Sequence, residues 1–168
     1  SEKANYIQEV CQLLSRQIRS VIMELRIEDI MQEKNLSAYI NDLLDAWTVR
    51  THIEVERDIP DFFPSIDPTL THNLHNIISE ALLNIERHSG ASKVWIKLAI
   101  ENGEMLLELE DNGHGFYSEP ENVYSYLKRG SLGLVSIKER VELAGGSFII
   151  QNSPNGVKLY IKQPLRKM

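Results

Sequence analysis

The chain has 168 residues, 42% of them hydrophobic and 25% charged, with a formal net charge of −6. That length suits one domain, or one domain with an extra element, and the composition is that of an ordinary soluble globular protein. The acidic balance argues against a nucleic-acid surface, and no apolar run approaches the ~20 residues of a membrane span.

The chain opens on a helix pattern in which Ile7, Val10, Leu14, Ile18, Val21 and Leu25 recur at threes and fours, the seam of a coiled coil or bundle. Neither Gly nor Pro occurs from Ser1 to Ile59, so the composition is helix-compatible throughout. Such a seam either folds back on the domain or pairs with another chain. Cys11 is the only cysteine, so no internal disulfide can form, which fits a reducing cytosol. The histidines lack metal-ligand spacing, and a zinc site is not expected.

A second helix is expected over Leu36 to Val49, with Leu36, Ile40, Leu43, Leu44 and Trp47 on one side. In "HIEVERDI", Ile53 and Val55 alternate with Glu54 and Glu56, which reads as a short strand. "PDFFPSIDP" is turn-rich and ends in Asp67-Pro68, an N-cap with proline at the first helical position. A helix then runs from about Pro68 to His88. Its apolar side is Leu74, Ile78, Ala81, Leu82 and Ile85. Its other flank carries Glu80, Asn84 and His88 at four-residue spacing, with Arg87 beside them. A solvated mixed face would look the same, so the helix alone leaves that reading open.

"KVWIKLAI" and "EMLLELED" form a hairpin through Asn102-Gly103. Met105, Leu107 and Leu109 share one side, and the alternation carries Asp111 onto that apolar side. A carboxylate placed there must meet donors in a pocket or bear a desolvation cost. "DNGHGF" follows, then about fifteen polar residues without periodicity. "GSLGL" leads into a helix over Leu134 to Ala144 ended by Gly145-Gly146, and "SFIIQNS" and "VKLYIKQ" close as a hairpin. The order implies α+β: a mixed, mostly antiparallel sheet with helices on one face, preceded by an N-terminal helix. Glycines at 113, 115, 130 and 133 allow close approach of backbone to ligand, and a helix N-terminus favours phosphate oxygens. Each cluster alone is equally compatible with structural turns, and Asp111 alone with an Asx-turn.

In this order the three stretches resemble the ATP-binding domain of the GHKL superfamily, which includes histidine kinases, gyrase B, Hsp90 and MutL. "EALLNIERHS" is similar to its N box, "DNGHGF" to its G1 box and "GSLGL" to its G2 box. "EALLNIERHSGAS" and "LGLVSIKERVELAGG" resemble sensor histidine kinases of the NarX, DesK and DegS type. "RSVIMELR" looks like the end of that family's dimerisation hairpin, so residues 1–30 would be hairpin helix and linker and 31–168 the catalytic domain.

The resemblance implies a two-layer sandwich of the Bergerat type that binds ATP and Mg²⁺. Asn84 would be the magnesium ligand, and Glu80 would polarise the attacking imidazole or order a water. Arg87 and His88 would lie near the phosphates, and Asp111 would accept from the adenine 6-amino group. Gly113, Gly115, Gly130 and Gly133, with Ser131 and Leu134, would frame a lid, residues 117–131, that closes over ATP. The implied activity is transfer of the γ-phosphoryl group to a histidine on the dimerisation helix of a homodimer, then to a response regulator receiver domain. The implied setting is cytoplasmic, without nucleic-acid or membrane contact by this part. The family's acceptor histidine is followed by an acidic residue. His52, His72, His75, His88 and His114 are not, so the chain reads as the catalytic part of a longer kinase. An anti-sigma-factor serine kinase and a degenerate nucleotide-binding or dimerisation module are the alternatives.

Overall fold

The computed structural model describes residues 35–64, 66–115, 132–153 and 155–165. The helix expected over 1–30, the segment 117–131, Gly130 and Ser131 lie outside the described residues.

Helix α1 (Leu36–Thr51) begins where the Asn35 side chain accepts from the Ala38 N–H at 2.9 Å. It ends at His52, whose left-handed backbone (φ 60°) lets its N–H reach Thr48 O. Strand β1 (Glu54–Asp58) follows. Helix α2 (Pro68–His88) starts at Asp67, whose carboxylate takes the Thr69 N–H at 2.7 Å, with Pro68 supplying a φ already helical. Strands β2 (Lys93–Glu101) and β3 (Glu104–Asp111) are joined by Asn102 (φ 51°) and Gly103 (φ 79°), the paired positive values of a tight hairpin turn. Helix α3 (Leu132–Leu143) starts two residues earlier than its apolar periodicity indicates, because its first turn belongs to the glycine-bearing stretch. Strands β4 (Ser147–Ser153) and β5 (Gly156–Pro164) complete the chain.

The strands form one sheet in the order β1-β2-β3-β5-β4. β1 and β2 are parallel, and the other pairs are antiparallel. The expected mixed, mostly antiparallel sheet is therefore present. Its helix-side face carries Val94, Ile96 and Leu98 from β2, Met105, Leu107 and Leu109 from β3, and Leu159 and Ile161 from β5, all buried. Against them pack Leu36, Ile40, Leu44 and Trp47 of α1, Leu74, Ile78, Ala81, Leu82 and Ile85 of α2, and Ile137 and Val141 of α3. The other face is open and laced with ion pairs, among them Lys93 with Glu54 and Glu56, Lys97 with Asp58, and Lys158 with Glu108 and Glu110. Such exposed pairs add little stability. None of the described helices is long and apolar enough to cross a membrane.

One buried histidine ties the helices together. The Tyr39 hydroxyl of α1 lies 2.6 Å from His75 Nδ1 on α2, and Ser79 Oγ lies 3.4 Å from Nε2. Burial, with a smaller push from His72, lowers the His75 pKa from 6.5 to about 4. The unfolded chain thus binds the proton more tightly than the native one. This contribution to stability is present above about pH 6.5 and is lost as the pH falls towards 4. Its full size is on the order of 3 kcal/mol. Urea unfolding of the wild type and His75→Gln at pH 7, 5.5 and 4 should show a shallower acid slope for the variant. Equal slopes would show that His75 does not set the acid limb.

Candidate functional site

The polar flank of α2 is covered by the start of α3. A Cβ placed on Gly133 would lie 2.1 Å from Glu80 Oε1 and 2.9 Å from Asn84 Nδ2, so the first turn of α3 rests on these two side chains. A side chain there would have to push the Glu80 carboxylate aside. Further along, Arg140 Nη1 reaches Asn73 Oδ1 at 3.5 Å, so α3 runs back along α2 in the opposite direction. Its N-terminal end is the one that meets Glu80 and Asn84, the end where a helix's first N–H groups lack intrahelical partners and partial positive charge gathers.

Asn84 Nδ2 is buried and has no hydrogen-bond partner among the described residues. An orphaned amide at such a position is costly to the fold unless something else meets it. Turning the amide by 180° places its oxygen there instead, since the two ends of an Asn amide are interchangeable in shape. The flank then offers a carboxylate and an amide oxygen side by side, donors suited to a hard cation. Among the described residues no group of three or more His, Cys, Asp or Glu side chains gathers into a metal site. A full protein cage for a cation is therefore not built here. The donor set fits Mg²⁺, which takes one or two protein oxygens and keeps waters and phosphates for the rest.

Asp111 closes β3 on the helix-side face and is 4% exposed. Its Oδ1 accepts the Gly113 N–H at 2.8 Å. Burial raises its pKa above the ordinary aspartate value, while main-chain donors at Gly113 and Val157 pull the other way. The carboxylate is thus held at a desolvation cost, as the alternation along β3 indicates.

The stretch after Asp111 is tied to the end of α2. His114 N–H donates to Ser89 O at 3.0 Å, and a Cβ on Gly113 would lie 2.2 Å from the same oxygen. Asn112 Oδ1 accepts from the N–H groups of Ser92 and Lys93, both at 2.9 Å, and its Nδ2 donates to Ser92 Oγ at 3.0 Å. Ser89, itself buried, returns its hydroxyl to Ile85 O at 2.9 Å. Arg87 and His88, both exposed, end α2 beside this junction. Gly115 has φ 64°, where a side chain would be strained.

The structure therefore gathers Glu80, Asn84 and Gly133 at one place, and Asp111, Gly113 and the α2 terminus at another, along a single helix. Leu134 is buried with the core, so its backbone is what it can offer a ligand. Asn112 and Ser89, which hold the two parts in position, lie inside the stretches "DNGHGF" and "EALLNIERHS", but neither their spacing nor the family resemblance gives them a role.

Residues 69–167 match the model of the family described as histidine kinase-, DNA gyrase B-, and HSP90-like ATPase. The chain is 33% identical over 150 residues to the sensor histidine kinase LiaS of Bacillus subtilis, covering 89% of this chain and 39% of LiaS. It is 30% identical over 152 residues to the sensor protein VraS of Staphylococcus aureus, covering 90% of this chain and 41% of VraS. It thus spans about two fifths of the length of these relatives. The blue-light activated histidine kinase of Erythrobacter litoralis shares the fold, with a TM-score of 0.71 at 19% identity, over 90% of this chain and 48% of that one. The chain belongs to the histidine kinase-, DNA gyrase B-, and HSP90-like ATPase family.

Proposed function

We propose that this chain is the ATP-binding catalytic domain of a two-component sensor histidine kinase. It transfers the γ-phosphoryl group of Mg-ATP to a histidine on a dimerisation helix, and the phosphate passes on to an aspartate of a response regulator. The observation that carries this reading is the buried Asn84 Nδ2, without a hydrogen-bond partner among the described residues, beside Glu80 beneath the first turn of α3. The relative LiaS, named a sensor histidine kinase, supports it. On this reading residues 1–30 belong to the dimerisation hairpin and linker, residues 31–168 form the catalytic domain, and the domain works in the cytoplasm of a homodimeric kinase.

Each residue then has a task. Asp111 accepts from the adenine amino group. Asn84 gives its amide oxygen to the cation, with Arg87 and His88 beside the phosphates. Glu80 orients the incoming imidazole and holds its proton as the nitrogen attacks. The γ-phosphorus–oxygen bond to ADP breaks as the nitrogen–phosphorus bond forms. Mg²⁺, when bound, neutralises charge on the transferring phosphates. Little else is asked of the protein, because phosphoryl transfer depends mainly on positioning and electrostatics.

With labelled ATP and magnesium, this chain should bind nucleotide and stay unlabelled. A supplied helical hairpin bearing the kinase's own histidine should gain acid-labile label. Acid-labile label on the isolated chain would refute the acceptor assignment. Acid-stable label on a serine of a partner would point to a serine kinase, and failure to bind ATP would leave only a degenerate module.

A further inference from the structure

Two contacts hold α3 along α2, and both helices space them alike. Gly133 rests on Glu80 and Asn84, and Arg140 Nη1 donates to Asn73 Oδ1 at 3.5 Å. Arg140 follows Gly133 by seven residues, and Glu80 follows Asn73 by seven. Seven residues make about two turns, so each helix presents one face at two levels, and the antiparallel pair is in register at both. Between those levels the buried side chains are apolar, Ile77 on α2 and Ile137 on α3. Apolar burial is non-directional, so it presses α3 onto the core without fixing where along α2 it stops. A side-chain hydrogen bond has a required length and angle, and does fix it.

The choice of partner points the same way. Glu139 and Glu142 are close to Arg140 on α3, and Glu142 is paired with Lys138. Among the described residues Arg140 forms no ion pair, and its guanidinium goes instead to a neutral amide on another helix. Both Asn73 and Arg140 are half-buried.

We propose that Arg140 and Asn73 are positioning residues for the nucleotide site. Together they set how far α3 lies along α2, and so where its first turn stands over Glu80 and Asn84. This role rests on the kinase reading above, in which those two residues meet the cation and the transferring phosphoryl group. Arg140 acts through the helix, since Gly133 is about 10 Å away along its axis. α3 is one continuous helix of 12 residues, so a slide at Arg140 is a slide at Gly133. The rise per residue is about 1.5 Å, and a slide of that size carries a bond already at 3.5 Å out of range. Misplacement by about 1 Å at a reacting centre is enough to cost affinity and rate.

The test separates the two ends of the nucleotide. Asn73→Leu and Arg140→Met keep much of the shape and remove the bond, while Asn73→Asp keeps the acceptor. On the full chain, calorimetry gives the affinity for ATP with magnesium, titration followed by NMR gives that for adenosine, and thermal unfolding gives Tm. Asn73→Leu and Arg140→Met should each weaken ATP binding roughly tenfold and leave adenosine, which has no phosphates, unchanged. The double variant should be no weaker than either single one, because both remove the same contact. Asn73→Asp should recover the wild-type affinity. Lower Tm with unchanged ATP affinity would make the bond merely structural and overturn the proposal. Equal losses for ATP and adenosine would also overturn it, by placing the effect at the base. Failure of the wild type to bind ATP would overturn the kinase reading and this role with it.

Discussion

Glu80→Gln should bind ATP nearly as well as the wild type and transfer its phosphate far more slowly. The substitution keeps the shape that fits beneath Gly133 and removes the charge. If Glu80 acts as the imidazole approaches the γ-phosphorus, single-turnover transfer to a supplied histidine hairpin should fall by ~10²–10⁴-fold. Asn84→Ala should fail earlier. On the proposed reading it removes the amide that would meet the cation, so magnesium-dependent binding itself should weaken in calorimetry. The two residues are neighbours on one helix flank, yet one variant should move the rate and the other the affinity. Normal transfer by Glu80→Gln would return that carboxylate to an ordinary polar role.

Asp111→Asn should separate binding from stability. If Asp111 accepts from the adenine 6-amino group, GTP presents a carbonyl in its place and leaves two acceptors in contact. A site built on a buried hydrogen bond can discriminate by ~10⁴-fold. The wild type should therefore prefer ATP strongly. Asn keeps an acceptor for the Gly113 N–H but loses the charge, and ATP binding should weaken by roughly 1–3 kcal/mol. Stability should move the other way. The folded pKa of Asp111 lies above its unfolded value, so the native state binds the proton more tightly, and this residue's contribution falls as the pH rises through those values. Asn removes that cost, so the nucleotide-free variant should melt no lower than wild type at pH 7. Equal affinities for ATP and GTP would remove the base-reading role.

Much of this was legible before any coordinates. The bounds of α2 follow from Asp67-Pro68 at one end and Ser89-Gly90 at the other. The burial of Asp111 follows from counting residues along β3, because a period of two has no freedom to drift. Strand order was not legible. Hairpin signals pair β2 with β3 and β4 with β5, but nothing local places β5 rather than β4 against β3. That choice is made by inward side chains such as Leu159 and Ile161 meeting the core. The burial of His75 was also hidden, since its partner Tyr39 lies 36 residues away on another helix. For the site, spacing and alternation singled out Glu80, Asn84 and Asp111, and only the family resemblance gave them expected roles. The contact of Gly133 with the first two is a long-range packing event that spacing cannot express.

Two glycines hold the ends of these elements together by having nothing to displace. A Cβ would meet the main-chain Ser89 O at 2.2 Å from Gly113 and the main-chain Asp111 O at 1.8 Å from Gly156. Glycine alone among the amino acids lacks that atom, so every missense change at these codons introduces it. Chemically mild replacements such as alanine and serine are no gentler here than arginine in the first collision they cause. In a lineage diverging under selection for nucleotide use, these two codons should accumulate synonymous third-base changes and almost no others, while the charged open face of the sheet drifts freely.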